Sequence, residues 1–477
     1  MRSRSAPTPT APVKPSVQAQ PSRAQRSRGG LGRRQFLKQS AATSIAAAGV
    51  FGCPAILRSA SPNSMLQVAS IGVGGMGRAT MNQVASHPKV KFTALCDVDS
   101  KYLDQASKTH ADASRHRDWR EMLAEHADKF DAVTISTPDH MHAAPAVLAM
   151  RANKHVYLQK PMATTLHECR VITEEANKAG VVTQLGNQGR SSVTSRQTVE
   201  LIRSGVIGKI KEVILWENKP LSWWPKNTDI EGPGDKVPGH LDWDLWLGVQ
   251  QPRPYFANTY HPQNWRAWYG FGVGEMGDMG CHHFDISFDA LSLTAPLRVR
   301  QLTPGSSGPL WAKRREVELI FPGSQWTADE TVKLTWYDGD LRPDASRITL
   351  PSSVDVLPES GTFWIGETGA IYKNYRGGKP IVLPESKLSA DQYPGGFAPQ
   401  NHYHDWVDGV VEGRKPCGDF NHGGPLTEAI LVGAMADRVS GEWLRWDTET
   451  QTFTNNADAN GLVRREYRDG WKVEGLG

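Results

Sequence analysis

A glycine turn set between two apolar runs constrains this 477-residue chain more than any other feature. Residues 68–73 read as a buried strand and run into Gly72-Val73-Gly74-Gly75-Met76-Gly77, which has the spacing G-x-G-x-x-G. A helix is predicted over 77–86, then a second strand over Val90–Cys96 that ends at Asp97. In such a unit Gly72 permits the tight turn, Gly74 lets a pyrophosphate approach the backbone, and Gly77 lets the helix pack on the strand. The helix N-terminus offers unpaired N–H groups and a partial positive charge to phosphates. Asp97 lies twenty residues beyond Gly77, where an acid can accept hydrogen bonds from ribose hydroxyls. A glycine-rich turn that binds nothing is the alternative, but the ordered strand, turn, helix, strand and acid favour a dinucleotide.

The head of the chain is different. Residues 1–30 are rich in Ser, Pro, Ala, Gln and Arg, a composition that does not build a core. Arg33-Arg34-Gln35-Phe36-Leu37-Lys38 follows, then a weakly apolar run over 41–51. This order resembles a twin-arginine export signal, and the run is too short to span a bilayer. A basic nucleic-acid arm is the competing reading. Val50-Phe51-Gly52-Cys53 loosely resembles a lipoprotein site, so anchoring through Cys53 is an alternative fate. The formal charge of +4 is set by this head, which is rich in Arg and Lys and has no Asp or Glu before residue 39. The remainder is net acidic, so no nucleic-acid partner is expected. Five cysteines without paired spacing argue against a disulfide framework or a zinc site.

Downstream, strand and helix patterns alternate. Helices are expected over 107–128, 143–152 and 165–179, and strands over 130–137, 155–158 and 181–185. That alternation specifies a parallel, doubly wound sheet, and ligands meet such sheets beyond the carboxyl ends of the strands. Thr137, Pro138 and His142 follow one strand end, Gln159 and Lys160 another, and Asn187, Gln188 and Arg190 a third. His140 is expected to be solvated. After residue 188 the pattern changes to a helix over 194–204 and β-rich runs over 210–217, 297–302, 315–321, 331–337 and 362–365, which should form an antiparallel sheet. Helices are expected over 401–411 and 425–440. Residues 219–265 form a long insert rich in Pro, Gly and Trp, and a loop of that length is usually functional or packed on a partner.

One combination is specific. A glycine turn followed by Arg78, then Thr137-Pro138 with His142, then Lys160-Pro161, then Gly277-Asp278-Met279-Gly280-Cys281-His282-His283-Phe284-Asp285 occur in this order. The set resembles the glucose–fructose oxidoreductase / inositol dehydrogenase / MocA family, over nearly everything after residue 65. The resemblance implies an α/β N-terminal Rossmann domain with a doubly wound parallel sheet, and an α+β C-terminal domain with an open, mainly antiparallel sheet. The corresponding division is 1–64 for the head and signal, 65–188 for the Rossmann domain, and 189–477 for a substrate-binding and oligomerisation domain. The family's Glu-Lys-Pro is Gln159-Lys160-Pro161 here, so one acidic neighbour of Lys160 is missing and the Glu role does not transfer directly.

The resemblance implies an exported oxidoreductase acting on a sugar, polyol or glycoside hydroxyl. The cofactor is expected to be NAD, since Asp97 would repel a 2′-phosphate, with NADP left open by Arg78. Gly72, Gly74, Gly75, Met76, Gly77, Arg78, Asp97, Thr137, Pro138, His142, Gln159, Lys160, Asn187 and Gln188 are the expected cofactor residues. Lys160, Asp278 and His282 are the expected catalytic residues, and with Arg190 and Trp265 they are expected to contact substrate. An ammonium at Lys160 can stabilise a developing alkoxide, and His282 is the candidate general base. Asp278 lies four residues before His282 and, on a helix, can orient its imidazole or accept a second substrate hydroxyl. A helix cap and a structural histidine are the plainer reading of that pair. No metal is expected, because a dinucleotide accounts for these residues without one. Trp223, Trp224, Trp243, Trp246, Trp265 and Trp268 crowd the insert and its exit, as a sugar-stacking surface, a loop core or a subunit interface. Export of a folded protein implies a tightly held, recycled cofactor, and the family implies a dimer or tetramer. Two alternatives remain: a redox-neutral, NAD-dependent glycosidase working by transient oxidation and elimination, and a non-catalytic sugar-binding protein.

Overall fold

The computed structural model describes residues 65–219, 224, 228, 230–375 and 377–477. The expected export signal, Cys53 and Trp223 lie outside the described residues. The first sheet contains β1 (Leu66–Ile71), β2 (Val90–Cys96), β3 (Ser114–His116), β4 (Ala132–Ile135), β5 (His155–Gln159) and β6 (Thr183–Gly186). Its order is β3-β2-β1-β4-β5-β6 and every pair is parallel. This is the doubly wound order, with the chain reversing direction across the sheet between β1 and β4. The central strands β1, β4 and β5 are buried almost throughout, as their continuous apolar runs require. The connecting helices are α1 (Gly75–Ala85), α2 (Ser100–Thr109), α3 (Trp119–His126), α4 (Ala143–Arg151) and α5 (Leu166–Ala179).

One expected helix divides. Residues 107–128 contain the end of α2, the edge strand β3 and α3. The break occurs because Asp118 starts a new helix, its carboxylate accepting from the Arg120 amide at 2.8 Å. The polar tripeptide Ser114-Arg115-His116 pairs with β2 without any alternation that would mark a strand.

The helix α6 (Val193–Arg203) leads into the second sheet: β7 (Ile210–Glu217), β8 (Arg298–Gln301), β9 (Glu316–Pro322), β10 (Thr331–Tyr337), β11 (Ser360–Gly366), β12 (Ala370–Lys373), β13 (Ile381–Leu383), β14 (Leu444–Asp447) and β15 (Thr452–Phe453). Its order is β13-β12-β11-β7-β10-β9-β8-β14-β15. The pairs are antiparallel except β7 with β10, which are parallel. That exception follows from the long crossover between them, which carries the Trp-rich insert, the short helix α7 (Trp243–Leu247) and α8 (Cys281–Leu291). The helices α9 (His402–Glu412) and α10 (Phe420–Met435) come back to the first sheet's side. The α10 helix begins five residues earlier than its Pro425 suggested, and Gly424 lets it pack closely, since a Cβ there would lie 2.4 Å from the Thr173 hydroxyl. Among the described residues no helix is long and apolar enough to cross a membrane.

Candidate active site

The carboxyl ends of β1, β2, β4 and β5 open into a cavity of about 570 Å³, closed on the far side by residues of the insert and by the segment before α8. The glycine turn forms one wall. Gly72 has φ +79°, and a Cβ there would lie 2.7 Å from the Ser136 carbonyl oxygen. A Cβ on Gly77 would lie 1.9 Å from the Gly72 carbonyl oxygen, so only glycine lets α1 start this close to its strand. Gly74 meets the Tyr102 ring, which would be 2.5 Å from a Cβ. The α1 helix has no side-chain cap, and Gly74, Gly75 and Met76 line the cavity. The first-turn amides of α1 are therefore available to an anion.

Asp97 lines the same wall, but it also holds the turn. One carboxylate oxygen accepts from the amides of Val73 at 2.8 Å and Gly74 at 3.2 Å, and the other from the Asp99 amide at 2.9 Å. Burial pushes its pKa up to about 6 against the pull of these amides. Each oxygen retains lone-pair capacity for a ribose hydroxyl. Arg78 does not reach the cavity. Its guanidinium is exposed and donates to Gln105 at 2.9 Å, which corrects its expected cofactor role.

The next wall comes from the ends of β4 and β5. Thr137 and Pro138 line it, and the Thr137 hydroxyl donates to the Met141 carbonyl. His142 is buried, its ring nitrogens 2.7 Å from the Pro161 carbonyl and 3.0 Å from the Thr137 carbonyl. Burial pushes its pKa down to about 4, so the ring is neutral and its single N–H donates to one of these two carbonyls. His140 is fully buried rather than solvated, with Nε2 3.0 Å from the Trp246 carbonyl. The Gln159 amide donates to the Thr80 hydroxyl at 3.0 Å, and the acidic partner of Lys160 is Asp278 instead.

Lys160 projects from the end of β5. Its ammonium donates to the Asp278 backbone carbonyl at 2.5 Å and to the Asp278 carboxylate at 2.8 Å. Asp278 sits in a π-helical turn, Met276–Gly280, that runs directly into α8. Such turns re-aim side chains and are frequent at functional sites. The same carboxylate accepts from Arg266 at 3.2 Å and from Lys219. Burial opposes the Asp278 charge, but Lys160, Arg266 and Lys219 together hold its pKa well below the usual carboxylate range. Asp278 therefore makes no hydrogen bond to His282, which corrects its expected role in orienting the imidazole; three cations occupy it instead. His282 lines the cavity with its Nδ1 unpaired. Burial, with Lys160 adding, pushes its pKa down to about 3 and leaves a neutral imidazole at working pH.

The third strand end contributes less than expected. Gln188 lines the cavity and donates to the Tyr157 hydroxyl at 3.3 Å. Asn187 is buried outside the lining and donates to the Cys281 carbonyl. Arg190 is bound to Asp285, Asp289 and the Cys417 carbonyl, so its guanidinium ties α8 to the adjoining loops and does not meet the cavity. That corrects its expected contact with substrate. His283 pairs with Glu217 at 2.9 Å and Asp285 with His422 at 2.5 Å. Trp265 lines the cavity, with the Arg266 guanidinium 4.3 Å over its ring. Trp243 stacks on Trp246 at 4.7 Å, and with Tyr260, Trp268 and Phe271 they form a loop core that shows only Trp246 to the cavity. Asp139, Lys219 and Arg266 also line the site and escaped the sequence reading. Asp139 stands inside the Thr-Pro-x-x-x-His match, and Arg266 follows Trp265, so both had a signal; Lys219, at the head of an irregular insert, had none.

The comparisons agree with this arrangement. Residues 66–187 match the family model described as an oxidoreductase family, NAD-binding Rossmann fold, GFO_IDH_MocA. Residues 191–300 match the model of that family's C-terminal α/β domain. Together these two matches cover just under half of the chain, and both are to models of the GFO/IDH/MocA oxidoreductase family. Among curated relatives, a 1-carboxy-3-chloro-3,4-dihydroxycyclo hexa-1,5-diene dehydrogenase of Comamonas testosteroni is 31% identical over 170 residues, 34% of this chain and 42% of that protein. A glycosyl hydrolase family 109 protein of Shewanella baltica is 27% identical over 177 residues, 35% of this chain and 38% of that protein. The matches thus span less than half the length of these relatives. Among solved structures, the WlbA dehydrogenase of Bordetella pertussis, in complex with NADH and UDP-GlcNAcA, superposes with a TM-score of 0.56 at 16% identity, covering 80% of this chain and 99% of that one. The aldose-aldose oxidoreductase of Caulobacter crescentus, complexed with glycerol, gives 0.52 at 19%, covering 80% and 99%. These two show a shared fold.

Proposed function

We propose that this protein is an exported, NAD-dependent oxidoreductase acting on a hydroxyl of a sugar, polyol or glycoside. The observation that carries the reading is Lys160, Asp278 and His282 meeting in the cavity that the uncapped glycine turn also lines. The residues fit the cofactor: Gly74, Gly75 and Met76 leave room and amides for phosphates, and Asp97 faces the place of a ribose. Arg78, bound to Gln105 outside the cavity, is not placed to take a 2′-phosphate, which favours NAD over NADP. Bound there, NAD supplies a hydride acceptor that can return the hydride.

The chain's own residues handle the proton. The Lys160 ammonium hydrogen-bonds the substrate oxygen and stabilises it as negative charge develops. Asp278 holds that ammonium from two atoms and fixes its direction. His282, neutral and lining the cavity, is the group that takes the hydroxyl proton. Replacing Lys160 with Met should lower kcat by about 10²–10³-fold while NAD still binds. Unchanged turnover in that variant would remove Lys160 from the chemistry.

Export follows from the twin arginines and the apolar run behind them. A periplasmic enzyme has no free pool of nicotinamide, so NAD loaded in the cytoplasm is held tightly and regenerated on the protein. The chain divides into a head and signal (1–64), a Rossmann domain (65–188) and a substrate-binding domain (189–477), and it acts as a homo-oligomer without a nucleic-acid partner. A second reading is favoured by the family 109 relatives: a redox-neutral glycosidase in which the sugar is oxidised, loses its aglycone, takes up water and is reduced again. Cleavage of a glycoside without accumulation of reduced nicotinamide selects that reading; accumulation selects the dehydrogenase.

A further inference from the structure

Among the described residues, the substrate end of the cavity carries more positive charge than its carboxylates balance. Among the described residues, Lys160, Lys219 and Arg266 close on one carboxylate, that of Asp278. The other acids nearby do not make up the difference. Asp139 lines the same cavity, is 5% exposed, and its carboxyl takes part in no hydrogen bond among the described residues; burial pushes it up to about 8 against Arg266 and Lys160, so it is protonated at neutral pH. Glu275, three residues before Asp278, has neither oxygen hydrogen-bonded, and burial pushes its pKa up strongly. Glu217 is engaged by His283, and Asp97 belongs to the glycine turn at the opposite end. His282 is neutral. An oxidised nicotinamide adds a further positive charge, while the phosphates of NAD lie at the glycine turn.

Charge withdrawn from water without a partner is costly, so an excess of this kind is a binding device when an anion completes it. Two of the three cations are positioned to do so. The Arg266 side chain is 26% exposed; its Nε reaches Asp278 and one terminal nitrogen reaches the Gln263 carbonyl, which leaves the other terminal nitrogen without an acceptor among the described residues. Lys219 is 31% exposed and faces the same cavity. Lys160, at 12%, is the buried member.

We infer that the substrate is an acidic sugar, one whose carboxylate or phosphate group sits between Lys219 and Arg266 while a hydroxyl meets Lys160 and His282. This rests on the oxidoreductase reading proposed above. The anionic group orients the ring, and neutral sugars lack the group that anchors them.

The test is equilibrium binding to the full-length protein saturated with NAD, so that the dinucleotide's own anion site is filled. Glucose, glucuronate and glucose 6-phosphate form one matched set, and galactose, galacturonate and galactose 6-phosphate another. The acidic member should bind about tenfold to a hundredfold tighter than its neutral partner, the range of charge-assisted hydrogen bonds. The acid that wins separates carboxylate from phosphate. Arg266→Leu and Lys219→Met should each reduce the preference, with retained NAD binding certifying the fold. Equal binding of neutral members, no binding by any acid, or a preference that survives both substitutions overturns the inference. Acid binding without nicotinamide reduction or glycoside cleavage would leave the anion site standing and remove the oxidoreductase reading instead.

Discussion

Asp97 shows how one side chain can serve a fold and a ligand together. Its carboxylate organises the glycine turn through the Val73 and Gly74 amides and also lines the cavity, where the proposed reading puts a ribose. Because burial raises its pKa to about 6, NAD affinity should be full well above pH 6 and should weaken as pH falls through that value, as titration of NAD binding from pH 8 to 5 will read. The raised value also means that the native, ligand-free protein takes up this proton more readily than the unfolded chain. The group therefore lowers stability as pH rises from 3.8 to about 6, and ligand binding opposes that trend. Asp97→Ala should lose both the acid limb and the preference for NAD over NADP; an unaltered preference would take the residue out of cofactor selection. Gly72, Gly74 and Gly77 were legible in the sequence because each answers a local steric demand. Lys219 and Arg266 were not, because their meeting at Asp278 depends on where a long insert returns. Asp278 itself was legible as a site residue but not in its partners: helical spacing pointed to His282, and the cations of distant segments claimed the carboxylate.

The elements around the site are fastened by the end of the chain. Glu168, in the first turn of α5, accepts from the Thr165 amide in a capping box. Its other oxygen accepts from Arg465 at 2.8 Å and from the Tyr467 hydroxyl at 2.7 Å. Arg465 also donates to the carbonyls of His140 and Gly270, so the C-terminal segment joins the β4 loop, the insert and α5. Glu168 is 1% exposed. Glu168→Ala should destabilise the protein by about 3–5 kcal/mol, since it leaves the Arg465 charge buried and unpaired. Urea unfolding measures this, and a change below about 1 kcal/mol would show that the strap contributes little. The cap was visible in the Thr-x-x-Glu spacing, but its tie to residues some 300 positions away was not. The short strands β3, β12, β13 and β15 escaped for a related reason: two to four residues carry too little pattern, and pairing with neighbours alone defines them.

The described residues form a parallel sheet and a mixed sheet that share a cavity, the first supplying Lys160 and the second domain Asp278, His282, Lys219 and Arg266. The strand and helix alternation made the first sheet legible, and the family motifs gave most of the site. The parallel β7–β10 pair was not legible, because strand patterns do not say which strand a long crossover brings alongside another. The proposed export is tested on the full chain. Replacing Arg33 and Arg34 with Lys should retain the protein in the cytoplasm, read by cell fractionation; an unchanged periplasmic share would exclude the twin-arginine route. The measurement that decides most is the identity of the dinucleotide released when protein exported by a competent host is denatured. Near-stoichiometric NAD, found by mass spectrometry, is the expected result. Protein that carries no dinucleotide and binds none when NAD is added would contradict an exported enzyme that works with a resident cofactor.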